Sequence, residues 1–284
     1  MTLARYGELL DAVRGLTWPS RRRASGVLPG THESRRRGTS PELSEYRAYR
    51  QGDDPKQLDW KLLARTDRAF VRLAEERSIL STFFLLDASA SMAFPAGGTS
   101  KWESACALTI ALAAVAHRAG DPVALVVPTG RGEVAVSPRT RRGTVHELAR
   151  ALGSVTPQGS PALSPILGRD LRARRVVIVS DFLGDEEALR RAAQALVAQG
   201  GDIHAIHVVA RQELEPAIGT GMIMDPEHEE VRRPITPASR AVYLERFAAW
   251  RAELARAWRL CGAAFTEVVA DDDPARVVRR VLAA

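Results

Sequence analysis

Residues 83–91 read FFLLDASAS, an apolar segment of strand length followed by short polar residues. Asp87 ends the apolar run, and Ser89 and Ser91 follow at alternate positions. A short continuous apolar run of this kind is typical of a strand buried on both faces of a sheet. In open α/β sheets, ligands bind beyond the carboxyl ends of the strands, where the loops converge. The segment therefore predicts a site with one carboxylate and two hydroxyls at that edge.

The donor atoms of this segment indicate the kind of ligand. Asp87, Ser89 and Ser91 offer hard oxygen atoms, and no Cys or His lies nearby, so Mg²⁺ or Mn²⁺ suits them better than zinc. The set is incomplete, which leaves coordination positions for water or for a carboxylate of a partner. This favours metal-dependent adhesion over catalysis. The alternative is a purely structural cluster, because Asp and Ser also cap exposed amides at helix starts.

The chain from residue 79 onward alternates between strand and helix patterns. This alternation predicts a doubly wound α/β domain with a mostly parallel sheet and helices on both faces. Residues 133–137 follow a Gly-Arg-Gly turn and are expected to form an antiparallel edge strand. The predicted strands are 79–87, 122–128, 133–137, 175–181, 202–210 and 264–270, and the predicted helices are 101–119, 144–152, 185–200, 238–261 and 273–283.

The first 78 residues have a different pattern. Residues 2–16 have the apolar spacing of a short amphipathic helix, and residues 17–44 are rich in Arg, Ser, Gly and Pro, as in an exposed loop or arm. A more compact pattern follows, with a Gly-Asp-Asp-Pro turn between strand-like segments. We therefore predict three parts: an N-terminal helix and Arg-rich arm, a small β-rich module, and the α/β domain, at 1–42, 43–78 and 79–284.

Two further segments are expected near Asp87. One is the loop 156–161, TPQGSP, and the other is the apolar strand 177–181, VIVSD. Two strands ending in Asp can lie side by side in a doubly wound sheet, which would bring Asp87 and Asp181 together. Their carboxylates would repel each other and raise one pKa, and a divalent ion would relieve that repulsion.

Composition limits the possible function classes. The chain has 284 residues, 45% of them hydrophobic, and a net charge of +6. The basic residues are Arg except for Lys56, Lys61 and Lys101, but their clusters are scattered and accompany no nucleic-acid recognition motif. No apolar stretch reaches the roughly 20 residues that span a bilayer, and the first residues do not resemble a signal peptide, so we expect a cytoplasmic protein without membrane insertion. Both cysteines are expected to be buried thiols.

The three loops together resemble the metal-ion-dependent adhesion site, or MIDAS, of von Willebrand factor A domains. That pattern has DxSxS on the first loop, Thr on the second and Asp on the third. The resemblance implies a fold of this type with Mg²⁺ or Mn²⁺ held by Asp87, Ser89, Ser91, Ser160 and Asp181. Ser160 stands where the pattern has Thr, and Thr156 is a rival for that position.

The preceding sequence, EYRAYRQGDDPKQLDWKLLARTDRAFVRLAEER, narrows the resemblance. Followed by DASASM, it looks like bacterial proteins that are encoded beside MoxR-type AAA+ ATPases, over about residues 26–210. The resemblance implies a chaperone-like or assembly role with such an ATPase and its client proteins. The residues of this segment that we expect to contact a partner are Asp53, Asp54, Asp59, Trp60 and Arg65. The alternative is that Asp53 and Asp54 only form a turn, and that Asp59, Trp60 and Arg65 pack and form salt bridges inside the protein.

The leading hypothesis is a non-catalytic, divalent-metal-dependent module that binds a Glu or Asp of a partner protein. A phosphoryl-transfer enzyme with Asp87 as nucleophile is less favoured, because Ser89 stands where such enzymes carry a second Asp. The chain has no G-x-x-x-x-G-K-[ST] loop and no GxSxG segment. The third hypothesis is nucleic-acid binding through the Arg-rich arm, which would be strongly salt-dependent.

Overall fold

The computed structural model describes residues 3–21, 29–38, 45–51, 53, 58–169, 171, 173–217, 222–224, 232–234 and 237–284. Contacts group the chain into two compact units, which we describe separately: Met1–Trp18 with Ser81–Ala284, and Pro19–Leu80. The boundaries of these units differ from those of the three predicted parts, 1–42, 43–78 and 79–284. The predicted division into domains therefore stays a prediction.

The large unit is built on a six-stranded sheet with the order β11-β8-β7-β4-β5-β6. Five strands run parallel, and β6 is antiparallel to β5 at one edge, as the turn chemistry predicted. The strands are β4 (Thr82–Leu86), β5 (Val123–Thr129), β6 (Gly132–Arg139), β7 (Arg175–Ser180), β8 (Asp202–Val209) and β11 (Ala264–Val269).

Helices cover both faces of this sheet. In β4, Phe84 and Leu86 belong to one apolar cluster, and Phe83 and Leu85 belong to another. This alternation places each cluster on its own face of the strand, so the sheet is buried on both sides. The first cluster includes residues of α1 (Leu3–Ala12), α3 (Lys101–Arg118), α4 (Thr144–Gly153) and α9 (Pro274–Leu282), and the second includes residues of α5 (Ser164–Leu167), α6 (Glu186–Ala198) and α8 (Pro237–Leu260).

The predicted fold class, α/β with a mostly parallel sheet and helices on both faces, is confirmed. The five predicted helices after residue 100 match α3, α4, α6, α8 and α9 within two residues at each end, and side-chain caps mark the start of α3 and of α9. Ser100, for example, forms a capping box with Glu103 at the start of α3. Sequence periodicity did not reveal the one-turn helix α7 (Arg211–Leu214) or the pair β9 (Met222–Met224) and β10 (Arg232–Pro234).

Trp18 corrects the expectation that residues 17–44 are an exposed arm. Its side chain is buried in the large unit, and the Arg175 guanidinium lies 4.2 Å from its ring centroid. Arg175 also donates a hydrogen bond of 3.1 Å to the Trp18 carbonyl and lies 3.4 Å from Asp202. The local sequence around Trp18 did not indicate that its side chain is buried, because its partner Arg175 is 157 residues away.

The small unit contains a three-stranded antiparallel sheet with the order β1-β3-β2. Its strands are β1 (Pro29–Gly38), β2 (Glu45–Ala48) and β3 (Phe70–Ser78). Helix α2 (Trp60–Thr66) precedes β3 and was not predicted. Strand β1 lies in the segment predicted as a loop or arm. Its sequence, PGTHESRRRG, lacks apolar alternation, so only its backbone pairing with β3 reveals it.

The apolar residues in and just after α8 are buried to different extents. Leu254, Trp258 and Cys261 are buried, whereas Tyr243 and Phe247 are half-buried. Both cysteines are free and buried, as predicted. None of the helices in the described part of the chain combines the length and apolar character that a bilayer crossing requires.

An ion-pair cluster ties α8 to the edge strand β11. Burial alone would raise the pKa of Glu267, but His207 and Arg251 lower it to about 2. Arg251 donates two hydrogen bonds to the Glu267 carboxylate, and His207 Nδ1 lies 3.4 Å from it. This carboxylate therefore stabilises the fold only while it is ionised.

We expect Glu267→Gln to make the free energy of unfolding less dependent on pH under acidic conditions. Because the folded pKa is depressed, the contribution of Glu267 is complete above the ordinary glutamate pKa of about 4.3 and is lost as the pH falls towards 2. The measurement is the free energy of unfolding in urea between these pH values. The control is Glu253→Gln, an exposed glutamate of α8. Equal pH slopes for the two variants would contradict this account.

Candidate functional site

The site lies where β4 and β7 end. These neighbouring parallel strands pair through Leu86 and Val179, and the Asp87 amide donates to the Val179 carbonyl at 2.9 Å. Asp87 and Asp181 therefore leave adjacent strands at the same edge of the sheet, as the sequence predicted. Both side chains are buried.

The carboxylate of Asp87 accepts hydrogen bonds on both oxygens. Ser89 N donates to Oδ1 at 2.8 Å, and Ser180 Oγ donates to Oδ2 at 2.6 Å. Burial raises the pKa of Asp87 to about 6, and the charge of Asp181 adds to the increase, although these hydrogen bonds oppose it. The repulsion between the two aspartates expected from the sequence is therefore present, and it is a smaller cause than burial.

Ser89 and Ser91 turn their hydroxyls towards each other. Their Oγ atoms are 3.0 Å apart, and both residues are buried. A single turn of 3-10 helix, Ala90–Ala93, begins between them, which brings two alternate side chains to the same side. The geometry thus clusters three of the predicted oxygen donors, Asp87 among them.

The second loop is attached to the first by its backbone. Gln158 N donates to Ala88 O at 2.9 Å, and Ala90 N donates to Gly159 O at 2.8 Å. Ser160 and Thr156 are both exposed, but Ser160 lines a small cavity together with Asp87 and Ser89. Position therefore favours Ser160 over Thr156, while its role as a ligand stays a prediction.

Asp181 contacts a cation that the sequence analysis did not consider. Lys101 Nζ donates to Asp181 Oδ2 at 2.7 Å and to Glu213 Oε1 at 2.8 Å. The Lys101 side chain is 1% exposed. Burial by itself would lower the pKa of Lys101, but the two carboxylates raise it, so the ammonium is charged. Two features of the sequence could have indicated this role for Lys101. It is one of three lysines in an arginine-rich chain, and it is the first residue of α3, the helix that follows the DxSxS loop.

The oxygen atoms of these side chains suit a hard divalent ion, but one of the carboxylates is already paired with a cation. Asp87, Ser89 and Ser91 present oxygen atoms that Mg²⁺ or Mn²⁺ prefers. One oxygen of Asp181, however, already binds the Lys101 ammonium. In the part of the chain that the structure describes, no group of three or more His, Cys, Asp and Glu side chains could hold a metal, so any ion here depends on hydroxyl donors.

The residues predicted to contact a partner within 43–78 have separate local roles. Asp59 is buried and caps α2, accepting from Lys61 N and Leu62 N at 3.0 Å. Asp53 accepts from Arg50 N at 2.8 Å. The Trp60 side chain is 64% exposed and Arg65 is exposed, whereas Asp54 lies outside the described residues. Their contact with a partner stays a prediction.

Fold and site together define an α/β domain with a buried, oxygen-rich cluster at the carboxyl edge of its sheet. The chain belongs to the family described as protein of unknown function DUF58, whose profile matches residues 45–253. A relative, the uncharacterized protein Rv1480 of Mycobacterium tuberculosis, is 30% identical over 275 residues, which cover 94% of this chain and 86% of the relative.

Solved structures with similar folds have low sequence identity. The hypothetical protein BatB of Bacteroides thetaiotaomicron is 15% identical with a TM-score of 0.46, and the match covers 72% of this chain and 97% of BatB. The von Willebrand factor A domain of SpRpn10 is 13% identical with a TM-score of 0.40, over 71% of this chain and 95% of that domain.

We expect Gly159→Ala to destabilise the second loop. Gly159 has a φ of +64°, a left-handed conformation in which a side chain costs about 1–2 kcal/mol. The matched control is Gly153→Ala, at a helical position where an added Cβ meets no atom within 4 Å. Urea unfolding should show a loss of about 1 kcal/mol for the first variant and none for the second. Equal effects would mean that the loop does not require this conformation.

Proposed function

We propose that the chain is a non-catalytic protein-interaction module whose binding site is formed by the first and third loops at the carboxyl edge of the sheet. The observation that carries this proposal is the buried cluster of Asp87, Ser89 and Ser91 beside Asp181. Both oxygens of Asp87 accept hydrogen bonds, which suits a fixed ligand better than a nucleophile that must move towards a substrate.

A divalent ion, Mg²⁺ or Mn²⁺, completes the proposed site. Asp87, Ser89 and Ser91 would hold it, with Ser160 and Asp181 on the neighbouring loops. Neutral hydroxyl ligands leave the ion with much of its charge. The ion would therefore supply the positive charge that attracts a Glu or Asp side chain of the partner.

Two exposed apolar side chains support recognition of a protein surface. Phe94 is 39% exposed and Leu183 is 52% exposed, on the loops that carry Ser91 and Asp181. Phe94 N donates to Ser91 O at 3.2 Å, and Leu183 N donates to Asp181 Oδ1 at 3.3 Å, so the backbone of each is held by a site residue. Interfaces combine exposed apolar anchors with polar contacts of this kind. The proposed ligand is an acidic residue flanked by apolar side chains.

The proposed partner is a MoxR-type AAA+ ATPase or a client protein that this ATPase remodels. This part of the proposal rests on the resemblance of residues 26–210, including the segment GDDPKQLDW and the exposed Trp60. A single metal-bridged carboxylate contact would be specific yet reversible, as repeated cycles of binding and release require.

The metal site predicts a saturable calorimetric signal. Protein stripped with EDTA should bind Mg²⁺ or Mn²⁺, and Asp87→Ala/Ser89→Ala should remove this binding because two of the oxygen donors are lost. The control is Asp11→Ala/Ser154→Ala, which alters two exposed residues outside the site. Metal binding that survives the Asp87→Ala/Ser89→Ala change would show that the ion lies elsewhere.

The apolar contacts predict a selective loss of affinity for the partner. Phe94→Ala/Leu183→Ala should weaken binding of the MoxR-type ATPase by about tenfold or more, since truncating an interface anchor typically costs over about 1 kcal/mol. Metal binding should be unchanged, because neither side chain is a proposed ligand. Leu260→Ala, at a 75% exposed residue at the end of α8, is the control in the same surface plasmon resonance assay. Unchanged affinity in the double variant would exclude this surface.

A further inference from the structure

Lys101 is held firmly at the edge of the candidate site. It is the first residue of α3, and its amide donates to Phe94 O at 2.9 Å, just beyond the DxSxS loop. From this anchored position its side chain reaches Asp181 at the end of β7 and Glu213 in α7. Three segments that are distant in sequence therefore meet at one ammonium group.

The charges around Lys101 explain why it is buried. An isolated buried ammonium or carboxylate is strongly disfavoured, and each needs a partner of opposite charge. Lys101 is shared by two carboxylates, and Glu213 is also fixed through its second oxygen, which accepts from Ala210 N at 2.7 Å. The three groups carry a net charge of about −1, and the Asp87 carboxyl is close enough to Asp181 for their charges to interact.

We infer that Lys101 is the site's own cation, which neutralises Asp181 in the metal-free protein and competes with a divalent ion for that carboxylate. The inference deepens the proposed function and rests on it. The ammonium repels a nearby divalent ion and occupies one oxygen of Asp181. The site therefore stays assembled without metal, and its affinity for metal is lower than the same oxygen donors would otherwise provide.

A purely structural role for Lys101 predicts the opposite result. If the lysine only holds α3, β7 and α7 together, its removal disorders Asp181 and weakens metal binding. If it competes with the metal, its removal frees Asp181 and strengthens metal binding. The sign of the change in affinity therefore separates the two roles.

The experiment measures Mn²⁺ affinity by calorimetry and the melting temperature in EDTA and in Mn²⁺. The variants are Lys101→Met, Lys101→Arg and Lys101→Met/Glu213→Gln. The double variant removes one charge of each sign, so it keeps the net charge of the cluster and avoids leaving the half-buried Glu213 carboxylate without a cation. Lys61→Met, on the exposed surface of α2, is the control for loss of a lysine.

The expected result is Mn²⁺ binding about tenfold tighter or more in Lys101→Met and in the double variant, because a like charge next to the ion has been removed. Both should melt at a lower temperature in EDTA and recover more than the wild type when Mn²⁺ is added. Lys101→Arg, which keeps the charge, should bind Mn²⁺ no more tightly than the wild type.

A double variant that binds Mn²⁺ no more tightly than the wild type, or that does not fold in its presence, overturns the inference. The double variant could bind Mn²⁺ while the wild type binds none. That result would support the role of Lys101 and contradict the metal dependence proposed for the native protein. Loss of wild-type binding in Asp87→Ala/Ser89→Ala tests the proposed function separately, so the two failures are distinguishable.

Discussion

Two buried carboxylates at the ends of neighbouring strands set the central electrostatic constraint of this structure. Asp87 and Asp181 leave β4 and β7 at the same edge, where burial and the charge of Asp181 raise the pKa of Asp87. Ser89 and Ser180 stabilise the Asp87 carboxylate by donating hydrogen bonds to it, and the Lys101 ammonium pairs with the Asp181 carboxylate. The site is therefore a balance between anionic oxygens and a cation that the chain itself supplies.

The scaffold makes this balance possible because it buries both faces of the sheet. The apolar residues of β4 alternate between two clusters, so the strand is packed on both faces up to the residue before Asp87. Backbone hydrogen bonds then connect the loops, from Gln158 to Ala88 and from Ala90 to Gly159. Polar side chains on such fixed loops can hold a precise geometry at little further cost in conformational entropy.

The cation also links the site to the segment after β8. Glu213 binds Lys101, and Tyr243 of α8 donates to the Glu213 carbonyl at 3.1 Å. Contacts therefore run from Asp181 through Lys101 and Glu213 to α8 without passing through the strands.

The order of the longer strands and helices after residue 80 could be predicted from the sequence, because apolar runs and helical periodicity depend on neighbouring residues. The DxSxS loop and its place at the end of β4 could be predicted for the same reason. The adjacency of Asp181 was expected because two strands ending in Asp can be neighbours in a doubly wound sheet. The helix α2 was missed although its cap Asp59 is a local signal, because a helix of 7 residues shows little apolar periodicity. The strand β1 was missed because its pairing with β3 is visible only in three dimensions. The burial of Trp18 against Arg175 was missed because the two residues are far apart in the chain. Only the tertiary structure decided that Lys101, 80 residues from Asp181 and 112 from Glu213, is the cation of the site. Local pattern specifies which groups each loop carries, whereas the burial that forces opposite charges together is a property of the folded chain.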